Sequence, residues 1–435
     1  MATDKGKNPG RKLLSLIKHF FHNHPAFQYI IKWTLISFII SLFIGSASSL
    51  FLKSLEWATD YRESNLWIIA LLPVGGFLVG LLYHYYGKGS DEGNNLIIDT
   101  IHKPGKTIPL RMAPLVYLGS IATHLFGGSA GREGTALQMA SSIADQFSRP
   151  FRLSESDRRT LIIASVAGGF GSVFGTPLAG AIFALEFFRI GHIRYGALFP
   201  AFITAIIAEK VTRPWQIPHT HYYINVIPEV SFQTIFYAIV AGILFGLCAM
   251  AFSRLFYKTG AIFKSKIPYA PLRPFVGGII VAGAVWAIGT TKYIGLGIPT
   301  IVQSFDQQMP AYDFAIKMAF TIITISAGFK GGKVTPLFFI GATLGNALGL
   351  LLPLPTGLLA GMGFVAVFAG ATNTPLACTV MAIELFGLEC GLFVAIACIV
   401  SYMVSGHHSI YRRQEIGEPK HHRFSELQGE RLSDL

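Results

Sequence analysis

The sequence predicts an all-α polytopic membrane protein made of two related halves, and three observations carry that reading. Of 435 residues, 52% are hydrophobic and only 13% are charged. Soluble domains carry about 25% charged residues, so the chain is read as membrane-embedded. Apolar stretches recur along its length, many of them short and interrupted by Gly, Pro or charge. A run of motifs in the first half also returns in the second. The apolar stretches are continuous rather than alternating, which argues against a β-barrel.

Taken in order, residues 1–28 form a basic N-terminal segment, with an amphipathic surface helix expected over 13–21. A first transmembrane repeat is expected over 29–210, a polar linker over 211–231, a second repeat over 232–405 and a tail over 406–435. Stretches 29–52 and 66–86 are long enough to cross roughly 30 Å of hydrocarbon. The next pieces, 113–126, 135–143, 161–174, 177–188 and 195–208, are too short for a full upright span. Such half-spans are tolerated where they are buried or line a cavity. Long spans resume at 232–256 and 274–294. Broken pieces return at 314–328, 335–352, 357–370, 375–385 and 392–405.

The formal charge is +12. Lys5, Lys7, Arg11, Lys12 and Lys18 lie at one end, Arg412, Arg413, Lys420 and Arg423 at the other. This is the pattern of cytoplasmic juxtamembrane charge, which places both termini in the cytoplasm and speaks against nucleic-acid binding. The start is polar, with no cleavable signal peptide evident. Cys248, Cys378, Cys390 and Cys398 lack metal-type spacing and read as buried thiols. His192, His219 and His221 read as solvated histidines rather than metal ligands.

The repeat is specific. Thr176-Pro177-Leu178-Ala179, six residues and Glu186 recur as Thr374-Pro375-Leu376-Ala377, six residues and Glu384, an offset of 198. GREGT at 131–135 matches GGKVT at 331–335 at an offset of 200, and GNNLI at 93–97 matches GLGIP at 295–299 at 202. Paired broken helices at matching positions point to a transporter-type site between the halves. Residues 127–140, GGSAGREGTALQMA, are its centre. They hold Arg132 and Glu133 among small residues at membrane depth, where charge is costly and functional. A helix start follows, and a helix N-terminus inside a membrane is an anion site.

Gly131-Arg132-Glu133-Gly134, the Thr-Pro-Leu-Ala-Gly-x5-Glu run at 176–186, Gly-x3-Thr-Pro-Leu-Phe at 331–338 and Gly361-Met362-Gly363 resemble the signature regions of the CLC chloride channels and transporters. The resemblance covers about 29–411. It implies inverted halves, a homodimer with one anion pore per subunit and, with about 30 residues after Ser405, no cytoplasmic CBS domains. GNNLI at 93–97, GGSAGREGT at 127–135 and His-x-Ser-Ile-Tyr at 407–411 are similar to the bacterial fluoride-exporting branch.

That resemblance makes Glu133 the protonatable gate. Gly131, Arg132, Gly134, Asn94, Val334 and Tyr411 become anion-binding residues, with Asn95 the alternative to Asn94. Lys333 stands where fluoride exchangers carry a glutamate. It would add positive charge near the anion path and is a candidate ion-pair partner for Glu133. Phe187 stands where chloride/proton exchangers carry an internal proton-accepting glutamate. Glu186 and Glu384 read as structural carboxylates.

The sequence thus points to halide transport in a bacterial inner membrane, as fluoride export coupled to protons. A chloride channel or chloride/proton antiporter of the same fold is the alternative. The expected partners are halide anions, protons, lipid and a second copy of the chain. No metal, cofactor or catalytic residue is expected: the glycines at 127–134 lack the Gly-Lys-Ser/Thr of a phosphate loop.

Overall fold

The computed structural model describes residues 24–105, 107–217 and 219–435. The surface helix expected over 13–21 and the N-terminal basic cluster lie outside them. The described helices fall into two series of eight. The first holds α1 (Pro25–Ser64), α2 (Leu72–Tyr86), α3 (Asn94–His102), α4 (Met112–Leu125), α5 (Glu133–Asp145), α6 (Glu155–Phe174), α7 (Pro177–Glu186) and α8 (Leu198–Thr212). The second holds α9 (Phe232–Lys266), α10 (Leu272–Ile288), α11 (Ile298–Asp306), α12 (Asp313–Ser326), α13 (Val334–Leu348), α14 (Thr356–Thr372), α15 (Pro375–Phe386) and α16 (Gly391–Val404).

The two series match helix for helix and run in opposite senses. Gly131 N–H donates to the Gly332 carbonyl at 2.7 Å, and Gly332 N–H donates back at 2.6 Å, in an antiparallel bridge. Equivalent residues that exchange bonds in this way sit about a local two-fold axis. A second pair obeys the same axis. The Glu186 carboxylate, ending α7, accepts from the N–H groups of Leu376 and Ala377 at the start of α15, at 3.2 and 3.0 Å. Glu384 of α15 accepts from Leu178 and Ala179 at the start of α7, at 3.0 and 2.8 Å. Each carboxylate satisfies orphan donors of the other helix and lies at its positive end. So α7 and α15 are antiparallel, and the repeats are inverted.

Among the described residues, four helical stretches, Pro25–Ser64, Leu66–Tyr86, Tyr195–Trp215 and Phe232–Lys266, are long and apolar enough to cross a bilayer by themselves. Shorter helices fill the centre. There α13 and α14 pack backbone to backbone: a Cβ on Gly341 would lie 2.0 Å from the Gly363 carbonyl oxygen, so only glycine fits. Aromatic rings fill the rest. Phe338 stacks on Phe364 at 4.0 Å, and Phe170, Phe183 and Phe187 form a continuous stack.

Several elements depart from the sequence reading. α1 has 40 residues rather than 24, about 60 Å at 1.5 Å per residue, and so is strongly tilted or projects from the bilayer. Charges ended the apolar run at Leu52, yet the helix continues because buried Arg62 donates to the His124 carbonyl at 2.8 Å. α3 and α11 were not expected, being nine residues each, α3 with a polar start and α11 with Pro299 in its first turn. They start 204 residues apart, and α5 and α13 start 201 apart, so the weaker repeat matches were misregistered by two and one residues. The tail is folded against the body. β2 (Glu415–Ile416) pairs in parallel with β1 (Arg189–Ile190). Buried Gln414 donates to the Phe187 and Thr372 carbonyls at 2.6 and 2.7 Å.

Candidate functional site

The Gly131–Gly332 bridge brings two broken-helix starts to one point. Glu133 opens α5 and is fully buried. Its carboxylate reaches across the bridge to α13. Oε2 accepts from Thr335 N–H at 3.1 Å, and Oε1 accepts from the Thr335 hydroxyl. α13 has no side-chain cap of its own, so Glu133 serves as one from the other repeat. A carboxylate there is a tethered anion on a helix N-terminus. The bridge glycines make room for it, since a Cβ on Gly131 or Gly332 would lie 2.7 or 2.9 Å from Oε2.

Two cavities adjoin the chain neighbours of Glu133, one reaching Gly134 and the other Arg132. The tail-side cavity, about 180 Å³, is lined by Asn94, Asn95, Gly134, Lys333, Val334 and Tyr411 among others. The linker-side cavity, about 240 Å³, is lined by Arg132, His219, Leu296 and Ile298 among others. The structure thus gathers six of the expected anion-binding residues on one side of Glu133 and leaves Arg132 on the other. Gly131 lies between them in the bridge.

On the tail side, the Asn94 amide and the Tyr411 phenol are in hydrogen-bond contact. The Asn94 Nδ2 lies 3.3 Å from where a Gly134 Cβ would stand, and its Oδ1 is buried without a partner. Tyr411 is 3% exposed, a buried tyrosine rather than one at a membrane interface. Its segment is fixed by Ile410 N–H donating to the Ala371 carbonyl at 2.8 Å and by Tyr411 N–H donating to Ser409 Oγ at 3.1 Å.

Residues 75–406 match the profile of the voltage gated chloride channel family. The chain belongs to this CLC family. It is 55% identical to the chloride/fluoride channel protein of Pseudomonas syringae pv. tomato, over 91% of this chain and 89% of that one. It is 24% identical to the H(+)/Cl(-) exchange transporter ClcA of Cronobacter sakazakii, with 81% of each chain covered. The solved structure of a CLC-type fluoride/proton antiporter superposes with a TM-score of 0.86 at 35% identity, covering 88% of this chain and 98% of that one. A slow cyanobacterial Cl-/H+ antiporter superposes at a TM-score of 0.74 and 18% identity, covering 86% and 94%, which shows the shared fold.

Two expectations are corrected. Lys333 does not pair with Glu133. Its ammonium donates to the Ile410 carbonyl at 3.0 Å and lies 4.1 Å from the Phe256 ring centroid. The ring and carbonyl draw the charge toward α9 and the Tyr411 segment, while Thr335 takes both Glu133 oxygens. His219 is half-buried rather than fully exposed: it packs on Gly175 and lines the linker-side cavity, because the linker folds over that opening. His192 and His221 are exposed, as expected. The neighbouring Arg132 and Glu133 form no ion pair among the described residues. Arg132 instead faces Phe174, 6.0 Å from its ring centroid.

Phe187 fills the position expected to lack a proton acceptor with an aromatic wall, meeting Tyr411 edge-on at 6.0 Å. Sequence reasoning missed Thr335, the partner of Glu133. Thr335 belongs to the Gly-x3-Thr-Pro-Leu-Phe motif, but only the fold brings it to the opposite repeat.

Proposed function

We propose that this CLC protein exports fluoride in exchange for protons across a bacterial inner membrane, with both termini cytoplasmic and a homodimeric assembly in the lipid. The observation that carries the reading is the Glu133 carboxylate seated on Thr335 N–H and hydroxyl in the first turn of α13, with one cavity reaching Gly134 and the other Arg132. Ionised, it holds the Thr335 N–H that a halide would need. Protonated, it loses the charge that keeps it there, and the seat passes to the anion. Proton binding and anion occupancy then exclude each other's alternatives, which is exchange. Fluoride, a small and strongly accepting anion, needs its hydration replaced by donors. The Asn94 amide, the Tyr411 phenol and the Lys333 ammonium supply these on the tail side. Gly131, Gly134 and Val334 contribute backbone at the bridge and helix starts.

A chloride or general halide channel of the same fold is the second reading. It is favoured by Phe187, whose ring can carry no proton. Ion-electrode recordings of efflux from proteoliposomes at a set voltage separate the two. Fluoride efflux exceeding chloride efflux is expected, and chloride efflux matching or exceeding it would favour the channel. Lys333→Met is expected to weaken tail-side fluoride binding about tenfold, or ~1.4 kcal/mol. Flux measured against tail-side fluoride concentration reads this directly. An unchanged half-saturating concentration would remove Lys333 from the anion path.

A further inference from the structure

We infer that Asp99 is a positioning residue: held by Arg413 and Arg431 of the tail, it fixes the rotation and height of α3 and so sets where Asn94 meets the anion. This rests on the reading that Asn94 and Tyr411 bind fluoride on the tail side.

α3 is a short helix with two faces. Ile97, Ile98 and Ile101 are buried against the body. Apolar burial holds the helix down but is non-directional, so it leaves rotation and sliding weakly fixed. Asn94 opens the helix at the tail-side cavity, and Asp99 follows five residues on. At 3.6 residues per turn and 1.5 Å per residue, that is about 140° round the axis and about 7.5 Å along it. Asp99 therefore leaves the helix on another side, and it does not line the cavity.

That other side is met by the tail. One Asp99 carboxylate oxygen pairs with Arg413 Nε at 3.3 Å, and the other with Arg431 Nη1 at 3.0 Å. Arg413 stands two residues after Tyr411. Two rungs thus join α3 to the 411–413 segment, Asn94 to Tyr411 and Asp99 to Arg413. Three residues beyond Asp99, on the same helix face, His102 lies 3.3 Å from the Glu415 carboxylate.

The tail is a firm post for these contacts. Gln414, next to Arg413, is tied to the Phe187 and Thr372 carbonyls. Lys420 Nζ donates to the Tyr402 and Gly406 carbonyls at 2.5 and 2.6 Å, at the end of α16. Residues 430–432 fold back on 414–416: Ile416 N–H donates to the Glu430 carbonyl at 2.8 Å, and Leu432 N–H to the Gln414 carbonyl at 3.0 Å. That return carries Arg431 to Asp99. An isolated exposed ion pair contributes little, whereas a network on ordered groups does more. Here two guanidinium groups share one carboxylate, and all three side chains are half-buried.

Field and position act with opposite signs at Asp99. An anion close to the tail-side opening repels fluoride, so through its field alone the loss of its charge would tighten binding. Through position, the loss frees α3, takes the Asn94 amide out of place and weakens binding.

The test is fluoride flux through the full-length protein in proteoliposomes, titrated from each side. Asp99→Asn is expected to raise the tail-side half-saturating concentration about fivefold, the worth of one neutral hydrogen bond. The maximal flux and the linker-side value should not change. Asp99→Glu, which keeps the charge, should recover most of the shift. Asn94→Ala should raise the tail-side value by itself, and adding Asp99→Asn to it should do nothing further, since no amide is left to place. A tighter tail-side value in Asp99→Asn, no shift, an equal shift on both sides, or a shift that adds in full to that of Asn94→Ala overturns the proposal and leaves the Asn94 reading standing. An unchanged tail-side value in Asn94→Ala overturns both.

Discussion

Glu133→Gln is expected to abolish the pH dependence of anion flux and to uncouple it from protons. Glutamine keeps the shape of the side chain and can still bond to Thr335. It carries no charge at any pH, so it mimics the protonated gate permanently. In the native protein the ionised carboxylate occupies the α13 start and blocks it. Acidification protonates the carboxylate, so native flux should rise as pH falls. In the variant, flux should be level across the same range and should follow the anion gradient alone. Fluoride efflux from proteoliposomes, recorded at several pH values with and without a pH gradient, reads both effects. A variant that kept the native pH profile and rate would end the gating role.

Asp145→Ala should produce the largest loss of stability. Asp145 ends α5 and is fully buried. It accepts from Arg158 Nε and Nη2 at 2.7 and 2.8 Å and from Ile108 N–H at 2.7 Å. This fixes α5 to α6 and to the loop before α4, and so holds the far end of the helix that Glu133 begins. Removing one partner of a buried ion pair costs about 3–5 kcal/mol, because the other charge stays buried. A marked fall in Tm in detergent is expected. Asp145→Ala with Arg158→Leu should recover part of it, since the stranded charge is gone. An unchanged Tm in the single variant would show that the pair contributes nothing.

Much of this architecture was legible because the bilayer constrains sequence strongly. Apolar length, broken spans and a charge at membrane depth each have few physical solutions, and together they led to the two repeats and to Glu133. The reciprocal caps of Glu186 and Glu384 were expected as structural carboxylates, and the inversion gives each its partner. What the sequence hid depends on distant contacts. Thr335 meets Glu133 across 202 residues. Lys333 turns away from Glu133 because an aromatic face and a backbone carbonyl lie on its other side. The tail reads as polar solvent-facing chain, yet Tyr411 and Gln414 are buried in it. α3 escaped notice because its apolar stretch is short and its start is polar, the very feature that lines the tail-side cavity.

The central claim is that a proton and a halide exchange at one seat on α13. It is tested most directly by sealed proteoliposomes with equal fluoride inside and out, voltage clamped to zero and a pH gradient imposed. The account predicts net fluoride movement against its developing gradient, driven by protons flowing the other way, and none with Glu133→Gln. Fluoride that stays at equilibrium while the pH gradient persists, in a protein that passes fluoride freely down its own gradient, would contradict exchange and make the protein a channel.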